Sequence, residues 1–120
     1  MVKGINDMAE PRRGEVWLVD LNPTRGREPF GRRPALIASV DLFNQGPAEL
    51  IVVIPITSKE KGIPFHVPIE ISEGGLLKRS FIKCEDIRSI SKDRLSKRQG
   101  PVSQETMAAV EDRLRILLNL

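Results

Sequence analysis

From Gly14 onward the chain alternates between short apolar runs and polar breaks. Gly14 to Leu21 sets Val16 and Leu18 on one face and Trp17, Val19 and Leu21 on the other, the pattern of a strand covered on both sides. Asn22-Pro23-Thr24 ends it. Thr24 to Arg33 holds two glycines, one proline and four arginines without apolar period, which predicts a long excursion between strands, of the kind that often carries function. Pro34 to Val40 and Leu50 to Thr57 are β-rich runs on either side of the turn-like Asn44-Gln45-Gly46-Pro47, so they predict an antiparallel pair. Pro55 implies an edge or a bulge near the end of the second run, because proline cannot donate to a ladder. A further strand is predicted at His66 to Ile71, with Val67, Ile69 and Ile71 on one face and a break at Gly74-Gly75. Ser80 to Ile90 predicts another extended segment, and Ser91 to Gly100 is polar and turn-like.

At Ser103 the period becomes helical. Ser103 fits an N-cap, Glu105 falls in the first turn, and Met107, Val110, Leu114, Leu117 and Leu118 share one face. That stripe packs most simply on the sheet. About five strands and one closing helix predict a mainly β fold with α elements: a small, partly open barrel with a C-terminal amphipathic helix. A length of 120 residues fits one domain, running from residue 12 to the end behind a polar leader at residues 1–11.

Composition changes this picture little. Apolar residues make up 40% and aromatic residues 4% with no tyrosine, so Val, Ile and Leu must fill the core. The single cysteine, Cys84, forms no internal disulfide, and no secretory or long apolar span is present, which places the chain in the cytoplasm and away from membranes. Charge says more by its distribution than by its net value of +3. Arg12, Arg13, Arg25, Arg27, Arg32 and Arg33 crowd the first third, and a loop that folds back would turn them on phosphates; a solvated basic surface is the plainer reading.

Several chemistries are missing their residues. There is no G-x-x-x-x-G-K, no H-E-x-x-H, no C-x-x-C and no carboxylate cluster with metal spacing, which disfavours ATP and metal chemistry and implies no cofactor. His66 stands alone, so no pair of histidines serves as acid and base in one chain, and it reads more simply as a strand histidine satisfied by backbone.

One run stands out: Arg13-Gly14-Glu15-Val16-Trp17-Leu18-Val19-Asp20-Leu21-Asn22-Pro23-Thr24, then Gly26-x-Glu28 and Arg32-Arg33-Pro34. Further along come Pro55-Ile56-Thr57-Ser58, Pro64-Phe65-His66-Val67, Gly75-Leu76, Ser80, Cys84-Glu85-Asp86-Ile87-Arg88-Ser89-Ile90, and a helix opening at Ser103-x-Glu105-Thr106-Met107. In this order the motifs resemble the MazF/PemK (Kid) family of toxins from type II toxin-antitoxin modules, from about residue 12 to the end. The resemblance implies an SH3-like barrel of the Kid/CcdB type, a homodimer, and metal-independent cleavage of single-stranded RNA at short sequences to a 2′,3′-cyclic phosphate and a 5′-hydroxyl. It also implies a cognate MazE-like antitoxin, with operator DNA bound only through the toxin-antitoxin complex.

The family's catalytic arginine and threonine fall on Arg33 and Thr57, and its loop glutamate on Glu28. A guanidinium offers a planar fork to a phosphate that gains charge, and a threonine hydroxyl adds a donor. The proton acceptor is left open between Glu28 and His66. Arg25, Arg27, Phe30, Arg32, Ser58, His66, Ser80 and Arg88 are candidates to bind substrate, Arg88 serving fold support equally well. Trp17 and Phe65 are candidates to stack bases, with core packing preferred for Trp17. Two departures from the family pattern bear on specificity. Pro29-Phe30 interrupts the usual loop, and Arg79 replaces an acidic residue, raising local positive charge. The reading from another class is a CcdB-like, non-enzymatic poison of DNA gyrase, and a third is a catalytically silent binding module.

Overall fold

The computed structural model describes residues 10–21 and 31–120. The predicted leader therefore lies almost wholly outside the described residues, and so do Arg25, Arg27, Glu28 and Phe30. The described chain runs β1 (Glu15–Asp20), β2 (Arg32–Ile37), α1 (Asp41–Asn44), β3 (Leu50–Thr57), β4 (His66–Ile69), β5 (Ser80–Lys83), β6 (Arg88–Ser91), β7 (Leu95–Pro101) and α2 (Gln104–Leu118). Short 3₁₀ turns sit at Glu73–Gly75, Cys84–Asp86 and Lys92–Arg94. The strands order β4-β5-β3-β2-β1-β7, with β6 also on β3, and every pairing is antiparallel. The expected mainly β architecture with a C-terminal helix is the observed one.

Alternation along the strands explains the two-sided burial. Odd positions Trp17, Val19, Leu21, Ala35, Ile37, Ile51 and Val53 pack together on one side with Ile90. Even positions Val16, Leu36, Ile54, Ile56 and Ile82 pack on the other with Val67, Ile69, Leu76, Cys84 and Val110. A strand with period 2 feeds both clusters at once. Trp17 is 5% exposed and donates its indole N–H to Glu15 Oε1 at 3.0 Å, so it is core, and Phe65 packs against the second cluster.

Helix α2 supplies Val110, with Met107 and Leu114 beside it, to that second cluster, while Leu118 is exposed. Ser103 caps it as expected, accepting from Thr106 N. The cap is reinforced from outside: the Glu73 carboxylate accepts from Ser103 N at 2.9 Å, Ser103 Oγ at 3.1 Å and the Thr106 hydroxyl.

Four expectations need correction. Pro55 is not at an edge. It faces Ala35 of β2, and on its other side β3 leaves β6 after Val53 and takes up β5 at Ile56, so the proline sits where the strand changes partner. Strand β4 stops at Ile69, and Ile71 is 62% exposed. The segment from Ser80 is two strands joined by a 3₁₀ turn rather than one. Finally, the stretch read as turn-like contains β7, which pairs with β1.

Candidate active site

Strands β2 and β3 place the two residues expected to be catalytic, Arg33 and Thr57. Leu36 faces Ile54 and Ala35 faces Pro55, where the β2–β3 pairing ends, and Arg33 and Thr57 follow two residues beyond it on their strands. Both line a cleft of ≈ 250 Å³. Ser58, Lys78, Ser80 and Gln99 add the other polar groups, and Pro34, Ile56 and Leu76 form apolar wall. Arg33 and Lys78 are cationic, and no Asp or Glu is among the described lining residues, so the cleft favours an anion. Thr57 Oγ1 accepts from Lys59 N at 3.1 Å. That bond occupies a lone pair and leaves the hydroxyl proton for a ligand.

The remaining candidates divide. Ser80 is buried at the cleft wall and donates to the Lys78 carbonyl at 3.0 Å, which ties the short loop to the start of β5. His66 is outside the cleft lining. It is buried on β4, with Nε2 at 2.8 Å from Glu85 Oε2 and Nδ1 without a partner. Its partner is thus a carboxylate rather than backbone. Arg88 is opposite Val53, at the β6-paired end of β3, and donates to Asp86 Oδ1 at 2.9 Å. Arg32 neighbours Arg33 on β2, so pleating turns it to the opposite face. Arg79 adds less open positive charge than its sequence suggested, because it pairs with Glu70 at 3.0 Å and Glu60 at 3.7 Å and lies over the Phe81 ring.

Two cleft residues, Lys78 and Gln99, escaped sequence reasoning. Lys78 stood between a glycine break and a strand, and Gln99 stood in the segment read as turn. Among the described residues no three His, Cys, Asp or Glu side chains gather to hold a metal. Cys84 is no nucleophile for the cleft: burial pushes its thiol up to about 11, the nearby Glu85 charge adds to this, and Arg113 opposes it.

Known proteins are similar to this chain over most of its length. A family model described as PemK-like, MazF-like toxin of type II toxin-antitoxin system matches residues 12–118. Endoribonuclease MazF9 of Mycobacterium tuberculosis is 39% identical over 114 residues, covering 91% of this chain and 97% of its own. Endoribonuclease MazF of Staphylococcus saprophyticus is 37% identical over 110 residues, covering 91% and 92%. In three dimensions the chain is similar to crystalline MazF of Deinococcus radiodurans, with a TM-score of 0.81, 29% identity and coverage of 92% and 97%. It is also similar to a mycobacterial endoribonuclease solved in complex with its cognate antitoxin, with a TM-score of 0.73, 26% identity and coverage of 92% and 95%. With a family model matching residues 12–118 and a relative 39% identical over most of the chain, this chain belongs to the family of PemK-like, MazF-like toxins of type II toxin-antitoxin systems.

Proposed function

We propose that this chain is the toxin of its module and a metal-independent endoribonuclease that cuts single-stranded RNA at a short sequence, with Arg33 and Thr57 as its catalytic residues. The observation that carries the reading is that both line one cationic cleft. The ribose 2′-oxygen attacks the adjacent phosphorus as the P–O5′ bond breaks. A 2′,3′-cyclic phosphate and a 5′-hydroxyl result, the 2′-hydroxyl proton passing to a base and the departing 5′-oxygen taking one up. Charge growing on the non-bridging oxygens is met by the Arg33 guanidinium and the Thr57 hydroxyl, and fixed donors of this kind lower the barrier most. His66 is engaged with Glu85 outside the cleft, which supports Glu28 as the proton acceptor. Lys78 and Ser58 hold flanking phosphates.

The protein acts in the cytoplasm as a homodimer. Supporting the dimer is an exposed apolar run: Val40 at 58%, Leu42 at 84% and Phe43 at 38% beside the C-terminal Leu120 at 84%. A cognate antitoxin with a disordered tail covers the cleft, and the pair together, not the toxin alone, binds operator DNA.

The test is cleavage of a long single-stranded RNA in EDTA by the intact protein, Arg33→Ala and Thr57→Ala, with the new ends mapped. Recurrent cuts bearing 5′-hydroxyl ends, lost in both folded variants, are expected. Intact RNA under all conditions would overturn the reading.

A further inference from the structure

Gln99 enters the cleft by a break in strand pairing. Along β1 and β7, Val16 faces Gly100 while the next residue, Trp17, faces Arg98, so Gln99 is the extra residue of a β-bulge. A bulge interrupts alternation and re-aims one side chain. Here the re-aimed side chain lines the same cleft as Arg33 and Thr57. The backbone on its far side is fixed too. Gly75 lies so close that a Cβ built on it would stand 2.3 Å from the Gln99 carbonyl oxygen, and its φ of +71° belongs to the left-handed region. Two separate devices, a bulge and a glycine contact, thus hold one side chain at the wall of the cleft.

That side chain is unsatisfied. Gln99 Oε1 is buried and has no hydrogen-bond partner among the described residues, although buried acceptors are nearly always paired. Such an atom costs free energy in the free protein, and a ligand that brings a donor recovers it. Nothing in catalysis by Arg33 and Thr57 requires a neutral amide nearby. A carboxamide, however, sets an acceptor next to a donor, which is how Asn and Gln pair with the edge of a base. Single-stranded RNA exposes those edges for reading.

We infer that Gln99 is a specificity-determining residue, reading a base beside the scissile phosphate that carries an exocyclic amino group, adenine, cytosine or guanine as against uracil, through donation to its Oε1. The inference rests on the nuclease reading above and adds to it the chemical class of base at one subsite.

The experiment compares the intact protein with Gln99→Leu and the nearly isosteric Gln99→Glu on a randomised single-stranded RNA pool in EDTA, sequencing the new ends. Thermal melting of each accompanies it. At the position with the strongest bias against uracil, a matched substrate lacking the amino group, such as purine for adenine or hypoxanthine for guanine, is then cut by each protein. The expected result is a bias on the order of tenfold at one position for the intact protein, lost in folded Gln99→Leu, with the amino deletion slowing the intact protein but not the variant. A merely structural role would lower the overall rate and leave the bias in place. An unchanged base preference in both folded variants overturns the inference alone; an intact protein that cuts no RNA overturns the nuclease reading and the inference together.

Discussion

Arg33 and Thr57 line one cationic cleft from neighbouring strands, each two residues beyond the paired Ala35 and Pro55. Register matters here: a slip of one residue between β2 and β3 would turn one strand's side chains to the other face and part the two. On a scaffold of this kind the chemistry of each group is tested by exchanges that keep its size. Arg33→Lys keeps the charge and loses the planar fork, and its single-turnover cleavage rate is expected to fall roughly 10²-fold. Thr57→Val loses only the hydroxyl and is expected to fall on the order of tenfold, with Thr57→Ser restoring most of the rate. Equal rates for Thr57→Val and the intact protein would remove Thr57 from the chemistry.

Gly75 tests the close approach that frames the cleft. A methyl group there meets the Gln99 carbonyl oxygen at 2.3 Å, and backbone has no flexible end to yield. The residue also holds a φ of +71°. Gly75→Ala is expected to lose about 2–3 kcal/mol of stability in urea unfolding. Gly31→Ala, where the φ is +79° and nothing lies within 4 Å among the described residues, bears chiefly the backbone cost and is expected to lose less.

The parts of this protein that were legible in its sequence are those where burial wrote a period into the chain. β1, β2 and β3 are covered on both sides, and their apolar residues alternate into the two clusters. The cap at Ser103 and the helix behind it announced themselves by residue type and by a period of 3.6. β7 could not be found this way: it lies at the end of the strand order, pairs only with β1, and its residues LSKRQGP bury too little surface to need apolar alternation. Gln99 was hidden for the same reason, since a bulge is set by the partner strand. Arg33 and Thr57 became visible through their neighbours, Pro34 and Ile56, in motifs resembling a family. Composition alone would have left them as a surface arginine and a strand-end threonine.

Glu73 gives the fold a pH dependence. Burial works to raise its pKa, but donors from Thr106 and Ser103 outweigh it and hold the carboxyl below its ordinary range. Its charge also lies at the N-terminus of α2, where the helix dipole favours an anion. A group with a depressed native pKa stabilises the fold above its unfolded value, near 4.3, and that contribution is lost as pH falls through the lower, native one. Glu73→Gln is therefore expected to be less stable than the intact protein by about 1–2 kcal/mol at pH 7, with the gap narrowing below about pH 4. A gap independent of pH would mean that the carboxylate charge contributes nothing.

Cys84 is expected to be inert in the native state. Its thiol is raised to about 11 from the ordinary 9.0, which leaves about a hundredfold less thiolate at pH 8. The side chain is also fully buried. Iodoacetamide at pH 8 should leave the native protein unmodified over hours and modify one site per chain in concentrated urea, as read by intact mass. Rapid native labelling would mean that the cluster around Cys84 opens readily.

Glu15, in the first recognisable motif of the chain, is a structural anchor rather than a reactive acid. The residue is 5% exposed, and its carboxylate accepts from Arg12 N at 3.0 Å, Trp17 Nε1 at 3.0 Å and Arg98 Nε at 2.6 Å. It thereby ties β1 to β7 next to the bulge that aims Gln99. Arg98 is half exposed, so its share is screened; the larger loss on truncation comes from the indole and backbone N–H groups left without an acceptor. Glu15→Ala is expected to cost about 2–3 kcal/mol in urea unfolding, and Arg98→Ala under about 1 kcal/mol. If the nuclease reading is right, folded Glu15→Gln keeps its cleavage rate within a few-fold while its stability drops. A folded Glu15→Gln that has lost cleavage altogether would place this carboxylate in the chemistry and not in the frame.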